Sequence, residues 1–416
     1  MAEATFTSFT AQIEPVVTPR PAAVPVSAQP FAAASAGNTA TSVTYRLVTS
    51  VEAIRALEPE WTALYRRSAR PAQAFQQFHR LSAWLTAFAD TRGADQPIVA
   101  IGHRNGHAVV IAPLAISRRQ GLRVLTWMGE PAVQYGSILV DQVSDAVDLC
   151  SDVIDFAISE TRPDLAHLRR VRTDFGLNAS LAAEGFSVIE RDAAPYLDFA
   201  DKLTAEDYET RYPNKARKNR RRLLRRLEEQ HTVEFIRLKP GSDAARSTLA
   251  ALAMKRAWLN NRAEVSPALY DDRMARWFEA IANDPACDCR ITEMRCDGEL
   301  AAAQIGFRDG DRLSLYLIVF GLKFEKDGVG ALHLEHTIRE AFEEGIRTID
   351  LLAPNMEYKR KWADETAELA DFVRPCTTLG RIYTSAYLMN GRKLAKRALR
   401  SLPQSVRNTV NRFLRR

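Results

Sequence analysis

The sequence lacks three features that would indicate a membrane-spanning, secreted or disulfide-rich protein. No apolar segment approaches the ~20 residues that a membrane-spanning helix needs. The opening residues MAEATFTSFT include an acid and no apolar core, so we expect no secretory signal. The five cysteines are odd in number and form no C-x-x-C pair, so we expect free thiols, no bound metal and a cytoplasmic location.

Acidic residues are missing from two long segments, although the whole chain has 51 acidic against 57 basic residues. Arg211–Arg226 and Gly391–Arg416 each contain nine basic residues and no acid. Unbalanced charge of this density favours an anionic partner nearby. For the first segment we predict a helix that contributes Lys215, Arg217 and Arg221 to substrate binding. The alternative is a solvated helix that only bridges two units.

The second basic segment belongs to a predicted helical tail over residues 379–416. Apolar residues recur on one face of two helices that Pro403 separates. Basic amphipathic helices are typical of docking onto anionic lipid. We therefore expect peripheral binding at the inner face of a membrane, binding of an anionic nucleotide or a protein, or simple packing on the body of the protein.

The remainder of the chain predicts two α/β units of the same design. Residues 1–42 are poor in charge and rich in Ala, Thr, Pro, Val and Ser, which predicts a disordered leader. Residues 43–205 and 232–378 each predict the order β-α-α-β-β-β-α-β-α-β. We predict an α/β fold of two tandem units with mixed, mostly antiparallel sheets, joined by a basic helix over 206–231 and related by duplication.

One stretch of the second unit has the features of a phosphate site. The apolar run Leu313–Phe320 predicts a buried strand, and a helical pattern begins after the loop Gly321–Gly330. The first N–H groups of a helix are unpaired, and the helix dipole favours an anion there. The loop has neither GK[ST] nor G-x-G-x-x-G, which excludes a Walker loop and a dinucleotide fingerprint. Residues 325–330 instead read E-x-x-G-x-G.

This loop resembles the Q/R-x-x-G-x-G/A loop that holds the pyrophosphate of acyl-CoA in GNAT acyltransferases, with Glu325 where that family has Gln or Arg. Over residues 45–375 the chain also resembles the CelD/BcsL-type acetyltransferases associated with cellulose biosynthesis, which have a FemAB-like tandem GNAT architecture. The resemblance is carried by the arginine-rich helix with its following Glu-Glu pair and by Asp350, Tyr358, Lys359 and Trp362.

The resemblance implies that an acyl group passes from acetyl-CoA, or another acyl-CoA, to an amine or hydroxyl. The acceptor would be a sugar, a lipid-linked substrate or another precursor of an extracellular polysaccharide, and no metal would be needed. Such transfer requires donors for a developing oxyanion, an acid and a base. Tyr316 is the candidate acid, unless it is a core aromatic residue. Asp350 is the candidate base or substrate ligand, unless it only caps a turn.

The other candidate residues surround the predicted strand and loop. For the acyl-CoA side we expect contacts from Ile318, Phe320, Lys323, Lys326, Gly328, Val329 and Gly330. For the acceptor side we expect Gln304, Tyr358 and Lys359 in addition to the basic helix. His333 and His336 have a spacing that permits a metal, but we interpret them as structural residues or phosphate neighbours.

Two other functions remain open at this point. A FemAB-like transferase would take its acyl group from aminoacyl-tRNA, and the basic helix would suit an RNA backbone. A degenerate, non-catalytic GNAT module would instead bind a nucleotide or a membrane through its basic tail. For the acyl-CoA enzyme we expect no nucleic-acid partner.

Overall fold

The computed structural model describes residues 42–89, 95–199, 202, 204–262, 264 and 266–391. The predicted leader, apart from its last residue, and residues 392–416 of the predicted basic tail lie outside this part of the chain. The described strands are β1 (Thr44–Val48), β2 (Gln96–Arg104), β3 (His107–Arg119), β4 (Leu122–Trp127), β5 (Leu139–Val140), β6 (Leu165–Arg172), β7 (Ser187–Asp198), β8 (Val233–Leu238), β9 (Cys289–Cys296), β10 (Glu299–Asp309), β11 (Arg312–Phe320), β12 (Thr348–Asp350) and β13 (Glu365–Pro375).

Helices connect these strands, and several of their ends follow from local sequence. Ser50 caps the first helix by accepting from the Ala53 N–H, and Asp271 caps the tenth. The helices are α1 (Val51–Arg55), α2 (Glu58–Ser68), α3 (Phe78–Trp84), α4 (Ala146–Thr161), α5 (Leu177–Ala183), α6 (Ala205–Glu209), α7 (Asn214–Glu228), α8 (Ser242–Asn261), α9 (Pro267–Tyr270), α10 (Asp272–Asn283), α11 (Val329–Glu343), α12 (Glu357–Trp362) and α13 (Thr378–Tyr383).

All the described strands form one mixed sheet. Its order is β1-β2-β3-β4-β6-β13-β7-β12-β11-β10-β9-β8, and β5 pairs with β3. The pairs β4–β6 and β11–β12 are parallel, and the other pairs are antiparallel. This confirms the predicted α/β fold of two units with mixed, mostly antiparallel pairing, and it corrects the number of sheets to one.

The last strand of each half lies inside the other half. β13 pairs with β6 and β7, while β7 pairs with β13 and β12. Read inwards from β1 and from β8, the two halves therefore place corresponding strands in the same order, except at the centre. There β13 completes the first half and β7 completes the second. Because of this exchange, it stays a prediction whether residues 43–205 and 232–378 act as separate domains.

The strand β7 is longer than its sequence predicts. The apolar pattern indicates a strand only near residues 196–199, whereas the structure has Ser187–Asp198. The segment SVIERDAA carries charges on exposed positions and has no regular apolar alternation. It is extended because it pairs with β13, while only the end of β7, from Tyr196 to Asp198, also pairs with β12.

A shared core also holds the halves together. Phe75 of the first half packs edge-on against Phe307 of the second, with ring centroids 5.9 Å apart. The buried guanidinium of Arg80 lies 2.7 Å from the carboxylate of Asp309, which also accepts from the Tyr65 hydroxyl at 2.7 Å. An ion pair shielded from water in this way is costly to break from one side only. The halves are therefore fixed relative to each other.

The exchange of strands predicts which fragments fold. A fragment of residues 206–391 lacks β7, so β12 loses a partner and β13 loses both. A fragment of residues 187–391 keeps β7 between β12 and β13. We expect the longer fragment to unfold cooperatively on heating and the shorter one to be insoluble or to melt without a transition. Equal behaviour of the two in circular dichroism melts would contradict the exchange.

Candidate functional site

A wedge opens in the sheet between β11 and β12. The two strands pair only at Arg312–Thr348, Leu313–Ile349 and Ser314–Asp350, after which β12 ends and β11 continues to Phe320. The chain turns away at Leu352, which has a left-handed φ of 59°. One edge of β11 is therefore left without a neighbouring strand from residue 315 onwards.

A β-bulge lies where this wedge begins. In the pairing of β10 with β11, Ile305 faces Leu317 and Gly306 faces Leu315, so Tyr316 is an extra residue in its strand. A bulge leaves the extra residue out of the ladder and redirects its side chain. Tyr316 therefore faces the aromatic core and a cavity beside the wedge, rather than following the alternation of its strand.

The cavity has a volume of about 540 Å³ and is bordered by both halves of the protein. Its walls come from the end of β4 and the following loop, from the end of β6, from α8 to α10, from β11 and from the segment after β12. The side chains that line it include Gln134, Arg170, Lys255, Tyr316, Ile318 and Lys359.

The corresponding wedge of the first half is filled. β4 and β6 pair only at Val124–Leu165 and Leu125–Ala166 before they separate. The indole of Trp127 occupies the gap and donates to the Arg169 carbonyl at 3.0 Å. A Cβ on Gly136 would lie only 1.8 Å from the indole nitrogen, so the chain passes directly against the ring. Of the two wedges, the one in the second half borders the free edge of a strand.

Tyr316 presents a protonated hydroxyl at the cavity. Its ring packs against Trp277 and Phe278, with centroid separations of 5.2 and 5.7 Å. Burial raises the pKa of Tyr316 to about 12, so the phenol keeps its proton at neutral pH. The Gln134 side chain lies beside the hydroxyl, and its amide oxygen accepts from Arg170. Tyr316 is therefore a core aromatic residue that also lines the cavity, and its role as an acid stays a prediction.

Lys359 brings an amine with a shifted pKa to the same cavity. The residue is 6% exposed, and its Nζ donates to the Leu352 carbonyl at 2.8 Å. Burial lowers the pKa of Lys359 from 10.5 to about 8, a shift that the Asp350 charge partly opposes. Near neutral pH a fraction of this amine is therefore unprotonated and able to accept a proton.

Asp350 has a different environment from the one the sequence suggests. Its carboxylate is 1% exposed and accepts from the Tyr135 hydroxyl at 2.9 Å and the Leu352 N–H at 2.9 Å. The Arg172 guanidinium lies 3.4 Å away. The side chain does not line the cavity. The geometry corresponds to the turn-capping alternative, and it also ties the end of β12 to the first half.

The loop before α11 leaves backbone donors free. Gly328 has a left-handed φ of 72°, and a Cβ on Gly330 would lie 2.9 Å from the Phe320 ring. Neither the Val329 nor the Gly330 N–H has an acceptor among the described residues. Lys326 is exposed and forms no ion pair within this part of the chain.

Both acids of the loop form ion pairs with arginines. Glu325, the residue that departs from the GNAT loop, pairs with Arg262 of α8 at 2.6 Å. Asp327 pairs with Arg226 of α7 at 2.9 Å. Lys323 pairs with Glu299. The negative charge of the loop is thus compensated locally, so Glu325 does not leave an unpaired carboxylate beside the helix terminus.

The basic helix α7 lies apart from the cavity. Its apolar residues Leu223 and Leu227 pack in one cluster with Val329 of α11. Lys215, Arg217 and Arg221 do not line the 540 Å³ cavity, although Arg221 borders a smaller cavity of about 360 Å³ between α7 and α11. Their predicted contact with substrate is therefore not explained by this site.

Three further residues from the predictions sit beneath α11 or at the rim. Gln304 is buried and accepts from the Thr337 hydroxyl at 2.9 Å, so it packs under α11 and does not line the cavity. Tyr358 is 42% exposed and does line it. His333 is buried against Thr292, and burial lowers its pKa to about 3, which agrees with a structural role.

Sequence reasoning did not identify three residues of the cavity wall, two from the first half and one from the second. Gln134, Arg170 and Lys255 are separated from Tyr316 by at least 61 positions, and no local motif marks them. The one available signal was the pair Arg169-Arg170 within the strand LAHLRRVR, because charged residues in a core strand usually have a function or a partner.

The comparisons with known proteins decide the class of fold. Residues 214–360, from α7 to α12, match the family described as Acetyltransferase (GNAT) domain. Over these residues the chain is similar to a GNAT acetyltransferase domain. The matched residues include the wedge, the loop and Lys359. No curated protein matches the chain in sequence.

Solved structures extend the similarity over both halves. FemX aligns with a TM-score of 0.55 and 10% identity, covering 79% of this chain and 98% of its own. A conserved protein of unknown function from Bacteroides thetaiotaomicron VPI-5482 aligns with a TM-score of 0.50 and 13% identity, covering 80% and 99%. At these identities the matches show a shared fold and nothing about a substrate.

Neither a metal-holding cluster nor a membrane-crossing helix occurs in the described part of the chain. Within the described ranges, no group of three or more His, Cys, Asp or Glu side chains is arranged to hold a metal ion. No helix in that part of the chain is both long enough and apolar enough to cross a bilayer.

The buried amine predicts a pH-dependent stability. Folding lowers the pKa of Lys359 from 10.5 to about 8, so the unfolded chain binds this proton more tightly than the folded chain. The free energy of unfolding therefore rises as the pH increases from 8 to 10.5. We expect the unfolding free energy of the wild type, relative to Lys359→Met, to rise by roughly 2 kcal/mol from pH 7 to pH 10. Urea unfolding of both proteins at the two pH values measures this.

Lys361→Met is the matched control, because that side chain is 39% exposed and pairs with Glu357 on the surface. Its difference from the wild type should stay constant with pH. A constant difference for Lys359→Met as well would contradict the burial of a charged amine at this position.

Proposed function

We propose that the protein is an acyl-CoA-dependent acyltransferase whose donor lies in the wedge between β11 and β12. The observation that carries this proposal is the continuity of the free edge of β11. Its residues Leu315–Ile318 line the cavity, and Phe320 lies under Gly330 at the start of α11. Phe320 follows Ile318 by two positions in the strand, a distance of about 7 Å along its axis. A phosphate site and a reaction chamber are thus joined along one groove.

The residues present fit an acyl-CoA. The free N–H groups of Val329 and Gly330 and the start of α11 suit its pyrophosphate, and Lys326 adds an unpaired positive charge. Ile318 and Phe320 offer half-buried apolar surface along the groove. When bound, acyl-CoA supplies an acyl group activated as a thioester. Everything else in the reaction is proton transfer and positioning by the chain.

Two side chains have the protonation states that acyl transfer needs. Lys359 in its neutral form accepts the proton from the amine or hydroxyl of the acceptor as the new C–N or C–O bond forms. Tyr316 holds a proton at its hydroxyl for the sulfur that departs as the C–S bond breaks. Asp350 acts as a positioning residue, because it anchors Leu352, whose carbonyl orients Lys359.

The acceptor class rests on the resemblance to CelD/BcsL-type acetyltransferases. We propose a sugar, a lipid-linked substrate or another precursor of an extracellular polysaccharide. Tyr358, half-exposed at the rim of the cavity, is then a candidate contact with the acceptor. Such a substrate agrees with a location in the cytoplasm or at the inner face of a membrane.

The release of free thiol from acetyl-CoA in the presence of candidate acceptors tests this proposal. We expect Lys359→Met to lower kcat about 100-fold or more, because a general base is lost. Tyr316→Phe should lower kcat by about tenfold or more with little change in KM. In the wild type, kcat should rise with pH up to about 8, as Lys359 loses its proton. Lys361→Met should retain full activity.

Absence of thiol release with every acceptor, together with absence of acetyl-CoA binding, would reject the proposal. Binding of acyl-CoA, together with a kcat that Lys359→Met leaves unchanged, would reject only the assignment of the base. These two results separate the function from the roles of its residues.

Exposed arginines on α7 favour a second candidate, transfer from aminoacyl-tRNA. The side chains of Arg221 and Arg225 are 65% and 76% exposed on one side of the helix. Such a row suits the backbone of RNA. Binding of tRNA whose affinity falls steeply with salt, and weakens further in an Arg221→Gln/Arg225→Gln variant, would support this candidate. Binding of acetyl-CoA without binding of tRNA would reject it.

A further inference from the structure

The charged residues that line the 540 Å³ cavity are predominantly cationic. They are Glu130, Arg169, Arg170, Lys255 and Lys359. The single acid, Glu130, lies 3.1 Å from Arg119 and 3.7 Å from Arg169, and Arg169 also contacts Asp371 at 3.3 Å. The acid is therefore already engaged, and the remaining three cations have no carboxylate partner within the described residues.

Arg170 is the clearest of these three cations. Its backbone N–H donates to Asp371 at 2.8 Å, but its guanidinium donates only to the neutral amide of Gln134. The residue is half-buried and has a left-handed φ of 54°, a conformation that is rare for a residue with a side chain. Burial lowers the pKa of Arg170, and the adjacent Arg169 charge lowers it further. The fold thus maintains an unbalanced cation at the cavity wall.

Lys255 and Lys359, both from the second half of the chain, add to this positive charge. Lys255 is half-buried on α8, with its amine 4.1 Å from the centroid of the Trp258 ring. Both Lys255 and Arg170 repel the protonated amine of Lys359. A protonated Lys359 that two neighbouring cations repel is unfavourable unless an anion is bound among them.

We propose, on the basis of the acyltransferase function above, that the acceptor carries a carboxylate or phosphate that Arg170 and Lys255 bind while its nucleophile faces Lys359. A guanidinium matches both of these anions because it can donate two parallel hydrogen bonds. The site therefore selects acidic acceptors, such as a sugar phosphate or a sugar acid, over their neutral counterparts.

The position of the cations separates this site from the phosphates of the donor. The free N–H groups and Lys326 lie beyond Phe320, at the far end of the free edge of β11. Arg170 instead connects through Gln134 to Tyr316, where the acyl group and sulfur of the donor are uncharged. The anion recognised at Arg170 consequently belongs to the second substrate.

A matched pair of acceptors tests the inference. D-Glucosamine and D-glucosamine 6-phosphate share one amine and differ in a single phosphate. We expect the wild type to use the phosphorylated sugar with a kcat/KM about tenfold or more above that of the neutral one. Arg170→Gln should remove most of this preference, because it should lower kcat/KM for the phosphorylated sugar far more than kcat/KM for the neutral one. Arg66→Gln, which neutralises an exposed arginine of α2, should preserve the preference.

Equal kcat/KM for the two sugars in the wild type would overturn the inference while leaving the acyltransferase function intact. If neither sugar reacts, calorimetric titration with D-glucosamine 6-phosphate and with inorganic phosphate decides. Heat that disappears in Arg170→Gln and persists in Lys326→Glu supports the inference. Heat that disappears only in Lys326→Glu, or no binding of either probe, overturns it. Titration of Arg170→Gln with acetyl-CoA should match the wild type and reports separately on the donor site.

Discussion

The exchange of β7 and β13 is the constraint on which the rest of the structure depends. Each half supplies the strand that completes the sheet of the other, so the halves form one sheet and share one core. The buried contacts between Arg80 and Asp309, and between Tyr135 and Asp350, then fix their relative position. A cavity formed by both halves can keep its shape only because they cannot move apart without breaking this pairing.

The same symmetry makes the difference between the two wedges informative. In both halves a parallel pair of strands separates after two or three residues. The first wedge is closed by Trp127, and the chain that follows it contributes Gln134 to the wall of the second. The first half therefore contributes to the wall of the cavity, while the second half has the free strand edge, the glycine loop and the helix terminus. The unbalanced charge of Arg170 belongs to the half without the loop.

The sequence was most informative where structure is determined locally. The strand 313–320, the glycine loop and the following helix were predictable because their patterns are continuous in the chain. Tyr316 was predicted at the site from its position in the strand, but its bulge depends on the pairing with β10. The length of β7 was not predictable, since pairing with β13 and not the residues of β7 itself makes its first part extended. Arg170 and Lys255 reach the cavity only through the tertiary fold. The alternatives for Asp350 could not be separated from sequence, because its donors are distant in the chain or created by the turn.

Calorimetric titration with acetyl-CoA tests the central claim most directly, because it reports the number of sites as well as the affinity. One open wedge per chain predicts a stoichiometry of one. Ile318→Trp, which fills the groove along β11, should abolish the heat, whereas Ile318→Val should retain it, with melting curves confirming that both variants are folded. Two sites per chain, or binding that Ile318→Trp leaves unchanged, would contradict the claim that this wedge holds the donor.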